Sequence, residues 1–376
     1  MAVNNIKKML YVTTVFCDEN DGIWKKIKYN LYAYIKLGFH VDLFYRTDGG
    51  YVIEYGFGTC ETKIIPVDEK DKNLSLLALS KKIEAAYDLL YIRKPFGGAC
   101  FLFMNALITS VKRHHKLCYI VMELPTYPYV KEIRTVKAFV SETLFMVSKL
   151  RYIDKIDLIV YMGNAEKEIW GRPSLKIHNG IDLLHVPALR TKQASVDNEI
   201  IFVGVARLSF WHGYDRLIKA ISQYNGKYFI KFMVVGPGEE ELKRLKTITT
   251  ELELEDNIIF LGSQFGGKLD DVYQNAHVCV DSLGRHRSGN NINSSLKSKE
   301  YTAKGLPFMK SHIDESFVDT DFIYEVSPDE NDINLESVIT WYFNLPVDTP
   351  KNMRSFAERN LSWDIQCAKV NAYFFG

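Results

Sequence analysis

The segment SSLKSKEYTAKGLPF (294–308) puts a carboxylate, Glu300, at the opening of an apolar-periodic stretch that Gly305, Leu306 and Pro307 cut short. Two lysines and three serines lie just before it, so an acceptor-only group sits among donors. Upstream, FVGVARLSFWHGYDRLIKAI (202–221) reads as a strand ending at Ala206, followed by Arg207 and His212 before Gly213 and a helix. A cationic group at a strand's carboxyl end, beside a helix N-terminus, suits an anion. VVGPGEEE (234–241) repeats the strand, glycine loop and helix; Gly236 allows either close ligand approach or a tight turn. In CDENDGIWKK (17–26), Gly22 stands where a helix begins, where backbone N–H groups can meet a phosphate, or where the residue simply permits the turn. Glu123 ends a strand ahead of Pro125 and Pro128 and could orient a hydroxyl or act as a base.

Other chemistries find no support. The chain has no GxGxxG and no Walker P-loop, which argues against a nicotinamide enzyme or a P-loop kinase. Six scattered cysteines without a CxxC pair fit reduced thiols, and the nine histidines show no metal-ligand spacing. Asp319-Thr320-Asp321 has the spacing of a metal–nucleotide motif but lies in a late loop, where it reads as incidental. No metal is expected.

The elements that must carry these residues alternate. Runs at 9–16, 39–45, 62–67, 88–93, 117–123, 156–163 and 174–179 read as strands, with helical stretches such as 23–38 between most of them. A second series starts near residue 199, with strands at 199–206, 231–236, 257–262 and 278–283 and helices at 214–224, 239–252 and 268–276. Alternation of this kind predicts parallel sheets covered on both faces. The fold class is therefore α/β: two doubly wound, Rossmann-like domains facing a cleft. The expected boundaries are 1–182, a linker over 183–198, 199–354, and a helix over 355–376 that returns to the first domain. At 376 residues, 47% hydrophobic and 25% charged, the chain suits two globular domains, and it has no apolar run of 18 residues.

Net charge is +1, but residues 1–190 carry 27 Lys and Arg against 20 Asp and Glu, whereas 191–376 carry 20 against 26. A basic first half suggests an anionic partner, or merely two domains of different charge. The stretch 130–155 is apolar and basic, with Lys131, Arg134, Lys137, Lys149 and Arg151; it suits an anionic membrane leaflet or a helix packed on the sheet. No basic cluster interleaves with stacking aromatics, so nucleic acid is not expected.

NGID (179–182), VARLSFWHGYDRLI, VVGPGEE, LGSQ (261–264) and KSKEYTAKGLPF, in that order, resemble a retaining group-1 glycosyltransferase of the GT-B fold, from the branch that assembles bacterial surface polysaccharides. The resemblance is strongest over 199–310 and extends to DGIWKKI, LLYIRKP (89–95) and ELPTYPY (123–129). It implies that the first domain binds an acceptor, lipid-linked or oligosaccharide, and the second a UDP- or GDP-linked sugar, with no cofactor. Glu300 matches the glutamate that holds the donor ribose; Leu296 and Lys297 fall where backbone N–H groups hold the pyrophosphate; Arg207 matches the phosphate-binding arginine. The reduced thiols fit a cytoplasmic protein, and the basic stretch 130–155 would put it at the inner face of the membrane if it meets lipid. Two positions depart from the family. His212 stands where a lysine is usual. Ile292, within GNNINSS (289–295), replaces a second glutamate, so Asn290, Asn291 or Asn293 would have to take over part of its role. This departure motivates an alternative, a catalytically inactive GT-B-like subunit that binds carbohydrate or a partner. A sugar-nucleotide epimerase fits the arrangement less well.

Overall fold

The structure, a computed structural model, describes residues 6–19, 21–67, 69–129, 133, 135–163, 165–189, 198–289 and 291–376. Its contacts divide the chain into two units, Met1–His178 with Trp363–Gly376, and Asn179–Ser362. Of the expected linker, residues 190–197 lie outside the described residues, as do Asn290, Lys131 and Arg134.

The first unit is built on nine strands: β1 (Lys7–Phe16), β2 (Phe39–Thr47), β3 (Gly50–Tyr55), β4 (Lys63–Pro66), β5 (Leu89–Arg93), β6 (Tyr119–Tyr127), β7 (Leu158–Gly163), β8 (Glu168–Ile169) and β9 (Arg172–Lys176). Their order is β4-β3-β2-β1-β5-β6-β7-β9-β8. The sheet is parallel from β2 to β9, but at its margins β2 with β3, β3 with β4, and β8 with β9 pair antiparallel. The wholly parallel expectation thus holds for the interior only. Alternation along β1 shows why both faces are covered. Leu10 and Val12 enter one core with Leu107 and Ile108, while Met9 and Tyr11 enter another with Trp24, Leu31 and Trp363. Trp363, Cys367 and Val370 come from the helix Trp363–Phe375, which packs in this unit against the helix Gly22–Lys36. The single helix expected from Ser355 is instead the end of Thr349–Phe356, a π turn over Ala357–Leu361, and then Trp363–Phe375.

The second unit contains β10 (Glu199–Val205), β11 (Phe229–Val235), β12 (Ile258–Gly262), β13 (Val278–Val280), β14 (Phe308–Lys310) and β15 (Ile323–Glu325). Their order is β12-β11-β10-β13-β14-β15, parallel throughout. This is the strand order of doubly wound nucleotide-binding sheets, in which the chain reverses direction between the first and fourth strands, here β10 and β13. Alternation again serves two cores: Ile200 and Phe202 on one face, Ile201 and Val203 on the other. Ligands of such sheets sit beyond the strands' carboxyl ends at the reversal. There the chain presents Ala206–Gly213 after β10 and Asp281–Gly284 after β13.

Candidate active site

Two glycines bring these loops together. Gly213 has φ +64°, and a Cβ there would lie 2.5 Å from Gly284 N, so the loop after β10 closes directly on the loop after β13. The contact is fixed by Leu283 N–H donating to the His212 carbonyl at 2.7 Å. Gly236 has φ +126°, and its Cβ would meet Ala206 O at 1.8 Å. Its absent side chain is thus used by the neighbouring backbone, the tight-turn reading.

Beneath this crevice lies Asp281, which the sequence reading did not single out. It is 0% exposed, accepts from Ser298 Oγ at 2.5 Å, and pairs with Lys297 Nζ at 2.9 Å. Burial alone would raise its pKa; the charge of Lys297, then His312 and the serine hydroxyls, hold the carboxyl well below the usual range. Lys297 thereby contributes its side chain as well as its backbone, with Nζ also 3.3 Å from Ser282 Oγ.

Lys297 belongs to the helix Leu296–Lys304, whose N-cap Ser295 gives no side-chain hydrogen bond to the first turn. An N-terminus of this kind favours anions. Its approach is braced from three sides. Asn179 donates to Ser294 from its backbone at 3.0 Å and from Nδ2 at 2.5 Å, Asp314 accepts from Ser295 N at 3.2 Å, and the fully buried Lys299 pairs with Asp314. The NGID turn is thus the brace of this helix start. Glu300 is not at the N-terminus as expected. The helix begins at Leu296 and has no acid in its first turn, so Glu300 lies about 6 Å further along the axis. Its charge bears on the buried Tyr273 and Cys279.

His212 packs beside Tyr214, ring centroids 5.7 Å apart. Its Nδ1 is 3.1 Å from Ser209 N and 3.2 Å from Ser209 O, which leaves Nε2 to meet a ligand. Burial, and next the charge of Lys297, depress its pKa well below the ordinary value. The ring is therefore neutral at physiological pH, not the cation expected there. Arg207, just past β10, is exposed and makes no ion pair among the described residues. Ile292 forms an isolated parallel bridge with Ile313: Ile313 N donates to Asn291 O at 2.7 Å and Asn293 N to Ile313 O at 2.9 Å. Arg207, His212, Gly236, Leu296, Lys297 and Glu300 all belong to this second unit.

Gly22 and Glu123 belong to the first unit. A Cβ at Gly22 would meet nothing within 4 Å, and the first-turn N–H groups of Ile23 and Trp24 already donate to Asp21 at 2.6 and 3.2 Å. The phosphate expected there meets a carboxylate cap. Glu123 is 2% exposed, paired with Arg93, and accepts from Tyr11 Oη at 3.1 Å. Lys26 lies 3.9 Å away, and burial and the neighbouring Arg93 push its pKa down to about 7. Glu123 is thus engaged by buried neighbours of its own unit, Arg93, Tyr11 and Lys26.

Residues 186–283 match the family model Glycosyl transferases group 1. The matched stretch lies within the second unit. The match spans Arg207, His212, Gly236 and Asp281. Leu296, Lys297 and Glu300 lie past its end and are tied to it through Asp281. No curated protein matches the chain. Among solved structures it is similar to sucrose-phosphate synthase from Thermosynechococcus elongatus (17% identity, TM-score 0.64, 98% of this chain and 99% of that one). It is similar also to HepE from Anabaena in complex with UDP (15%, 0.61, 98% and 100%). A third is the pneumococcal O-GlcNAc transferase GtfA in complex with UDP and GlcNAc (10%, 0.59, 98% and 99%). The fold is thus GT-B, with two α/β domains.

Proposed function

We propose that the protein is a retaining glycosyltransferase that moves a hexose from a nucleotide sugar to an acceptor hydroxyl during polysaccharide or glycolipid assembly. The reading is carried by Lys297, held by the buried Asp281 at the first turn of an uncapped helix, where the sheet reverses direction. An electropositive group and free backbone donors there suit a diphosphate. The bond between the anomeric carbon and the diphosphate oxygen breaks, the acceptor oxygen takes its place on the same face, and the acceptor hydroxyl's proton passes to the departing diphosphate. The charge that develops on the leaving diphosphate is met by Lys297, Arg207 and the Leu296 and Lys297 N–H groups, so the reading invokes no metal. Neutral His212 contributes a hydrogen bond through Nε2. Glu300, one turn along, accepts from the ribose hydroxyls. The first domain binds the acceptor. UDP is the nucleotide to test first, since it is the one bound in HepE and GtfA.

The test is incubation with UDP- and GDP-linked hexoses, with and without acceptor, reading nucleoside diphosphate release. Release confirms the transferase. Binding of UDP without release under any acceptor supports the inactive subunit, a reading favoured by the pinned Ile292. Absence of both release and nucleotide binding, with UDP and GDP alike, removes the transferase and favours the inactive subunit.

A further inference from the structure

Beneath the crevice of the second unit the charges are dense and paired off. Lys297 meets Asp281 at 2.9 Å, Lys299 meets Asp314 at 2.5 Å, and Lys310 meets Glu325 at 2.8 Å. Asp281, Lys299, Lys310 and Asp314 are each 3% exposed or less. These residues come from the loop after β13, the helix Leu296–Lys304, β14, the loop after it, and β15. Three cations face three anions, so the cluster carries no net charge of its own.

His312 lies among these pairs. Its ring is fully buried, with Nε2 3.9 Å from Asp281 Oδ2. Neither ring nitrogen has a hydrogen-bond partner among the described residues. Lys310 Nζ donates to the His312 carbonyl at 2.9 Å. Asp281 and Asp314 favour the imidazolium, Lys310 and Lys297 oppose it, and burial opposes it most. The ring is therefore neutral while the three pairs balance. A buried imidazole that uses neither nitrogen is costly, and filling space alone would be served better by an apolar side chain.

The balance has one open side. Lys297 is the most exposed of the three lysines, at 20% of its side chain, and it stands in the first turn of its helix, where the donor diphosphate is placed. An anion there claims part of the ammonium's charge and adds negative charge of its own. Asp281 stays buried, still accepting from Ser298 Oγ at 2.5 Å. The excess of negative charge then favours a proton on a base beside that carboxylate, and His312 faces it.

We propose that His312 and Asp281 form a proton store linked to the donor site: when a nucleoside diphosphate engages Lys297, His312 takes one proton from solvent onto Nε2, toward Asp281, and returns it when the nucleotide leaves. The inference rests on the proposed donor site and names a regulation of it. His312 is a positioning residue, since its buried ring restores positive charge behind Lys297 without touching the nucleotide. By linkage, a site that gains a proton on binding holds its ligand more tightly as pH falls.

The test is calorimetric titration of the full chain with UDP-glucose and with GDP-mannose, in buffers of different ionisation enthalpy, which reads protons taken up per nucleotide bound. These donors lack the terminal phosphate of a free diphosphate, whose own pKa of about 6 would interfere. Uptake of about half a proton or more at pH 5.5, little at pH 7.5, and affinity at least about twofold tighter at the lower pH are expected. His312→Gln should abolish both effects. His212 is the rival source, because it too is under the influence of Lys297 and Asp281. Uptake that survives in His312→Gln and disappears in His212→Gln overturns the assignment. Histidine-selective nitrogen NMR of the wild type, from pH 7.5 to 4.5 with and without UDP-glucose, needs no variant to fold. The His312 ring should titrate about one pH unit or more higher with the nucleotide bound, and an unmoved midpoint overturns the proposal. Donor binding without proton uptake overturns the store and leaves the donor site standing, whereas no binding of either donor at any pH overturns both.

Discussion

Replacing Asp281 with Asn tests the centre of the site. The carboxylate is fully buried and faces Lys297 Nζ at 2.9 Å and Ser298 Oγ at 2.5 Å. The amide can still accept from the serine, but it cannot balance the ammonium. Breaking a buried pair from one side costs about 3–5 kcal/mol, because a charge is left without its counter-ion. One fifth of the Lys297 side chain meets solvent, so the low end, about 3 kcal/mol, applies. Urea unfolding of the wild type, Asp281→Asn, Lys297→Met and the double variant forms a cycle. The double variant should lose about 2 kcal/mol less than the sum of the singles, since the stranded charge is gone. Loss of under about 1 kcal/mol in Asp281→Asn, or additivity within about 0.5 kcal/mol, would refute the account. At pH 7 the depressed carboxylate contributes fully; its contribution is lost only as pH falls below about 4.

His312 acts in the same sense over a higher pH window. Burial holds His312 down to about 4, so below pH 6.5 the unfolded chain takes up its proton first, and roughly 3 kcal/mol of stability is lost between pH 6.5 and 4. His312→Gln should flatten the urea-midpoint profile over that window, and an unchanged profile would sink the assignment. Gly236→Ala must place a Cβ against Ala206 O and should cost about 3 kcal/mol or more, while Gly22→Ala, with open space around its Cβ, should be neutral or slightly stabilising in thermal melts. Glu123→Gln strands Arg93 and should lower stability by about 3 kcal/mol while UDP affinity holds; a specific loss of turnover at intact stability would restore Glu123 as a base. Arg207→Ala should lower kcat/KM more than about tenfold, near 1.4 kcal/mol, and Glu300→Ala should weaken donor binding; wild-type kinetics in both would remove them from the site.

Much of the fold was legible because buried parallel strands are apolar on both faces. Runs such as EIIFVGVA and LLYIR announce themselves by composition, and Gly38, Gly213 and Gly305 marked element ends. Three-residue strands such as β14 and β15 are too short to show a period, and β3 was overlooked although Asp48-Gly49 is a hairpin signal between β2 and β3. In the candidate site, Arg207 and His212 drew notice because loops after strands are where sheets of this class bind, and Lys297 only through the resemblance. Asp281 stood in VCVDSLG at the same kind of strand end, so it was findable; only its burial and its lysine, 16 residues on, were not. Glu300 was shifted by one turn because Ser295, without a capping bond, gives a weak start signal. His212 changed character because neutrality depends on packing, which composition does not reveal.

The interrupted first unit has a consequence for biosynthesis. Trp363, Cys367 and Val370 complete one of its two hydrophobic cores, yet the ribosome reaches them only after all of Asn179–Ser362 has been made. The β-sheet around β1 must wait, with an apolar trough uncovered, while the later-made unit is free to finish; chaperone occupancy and misassembly risk should concentrate in that interval.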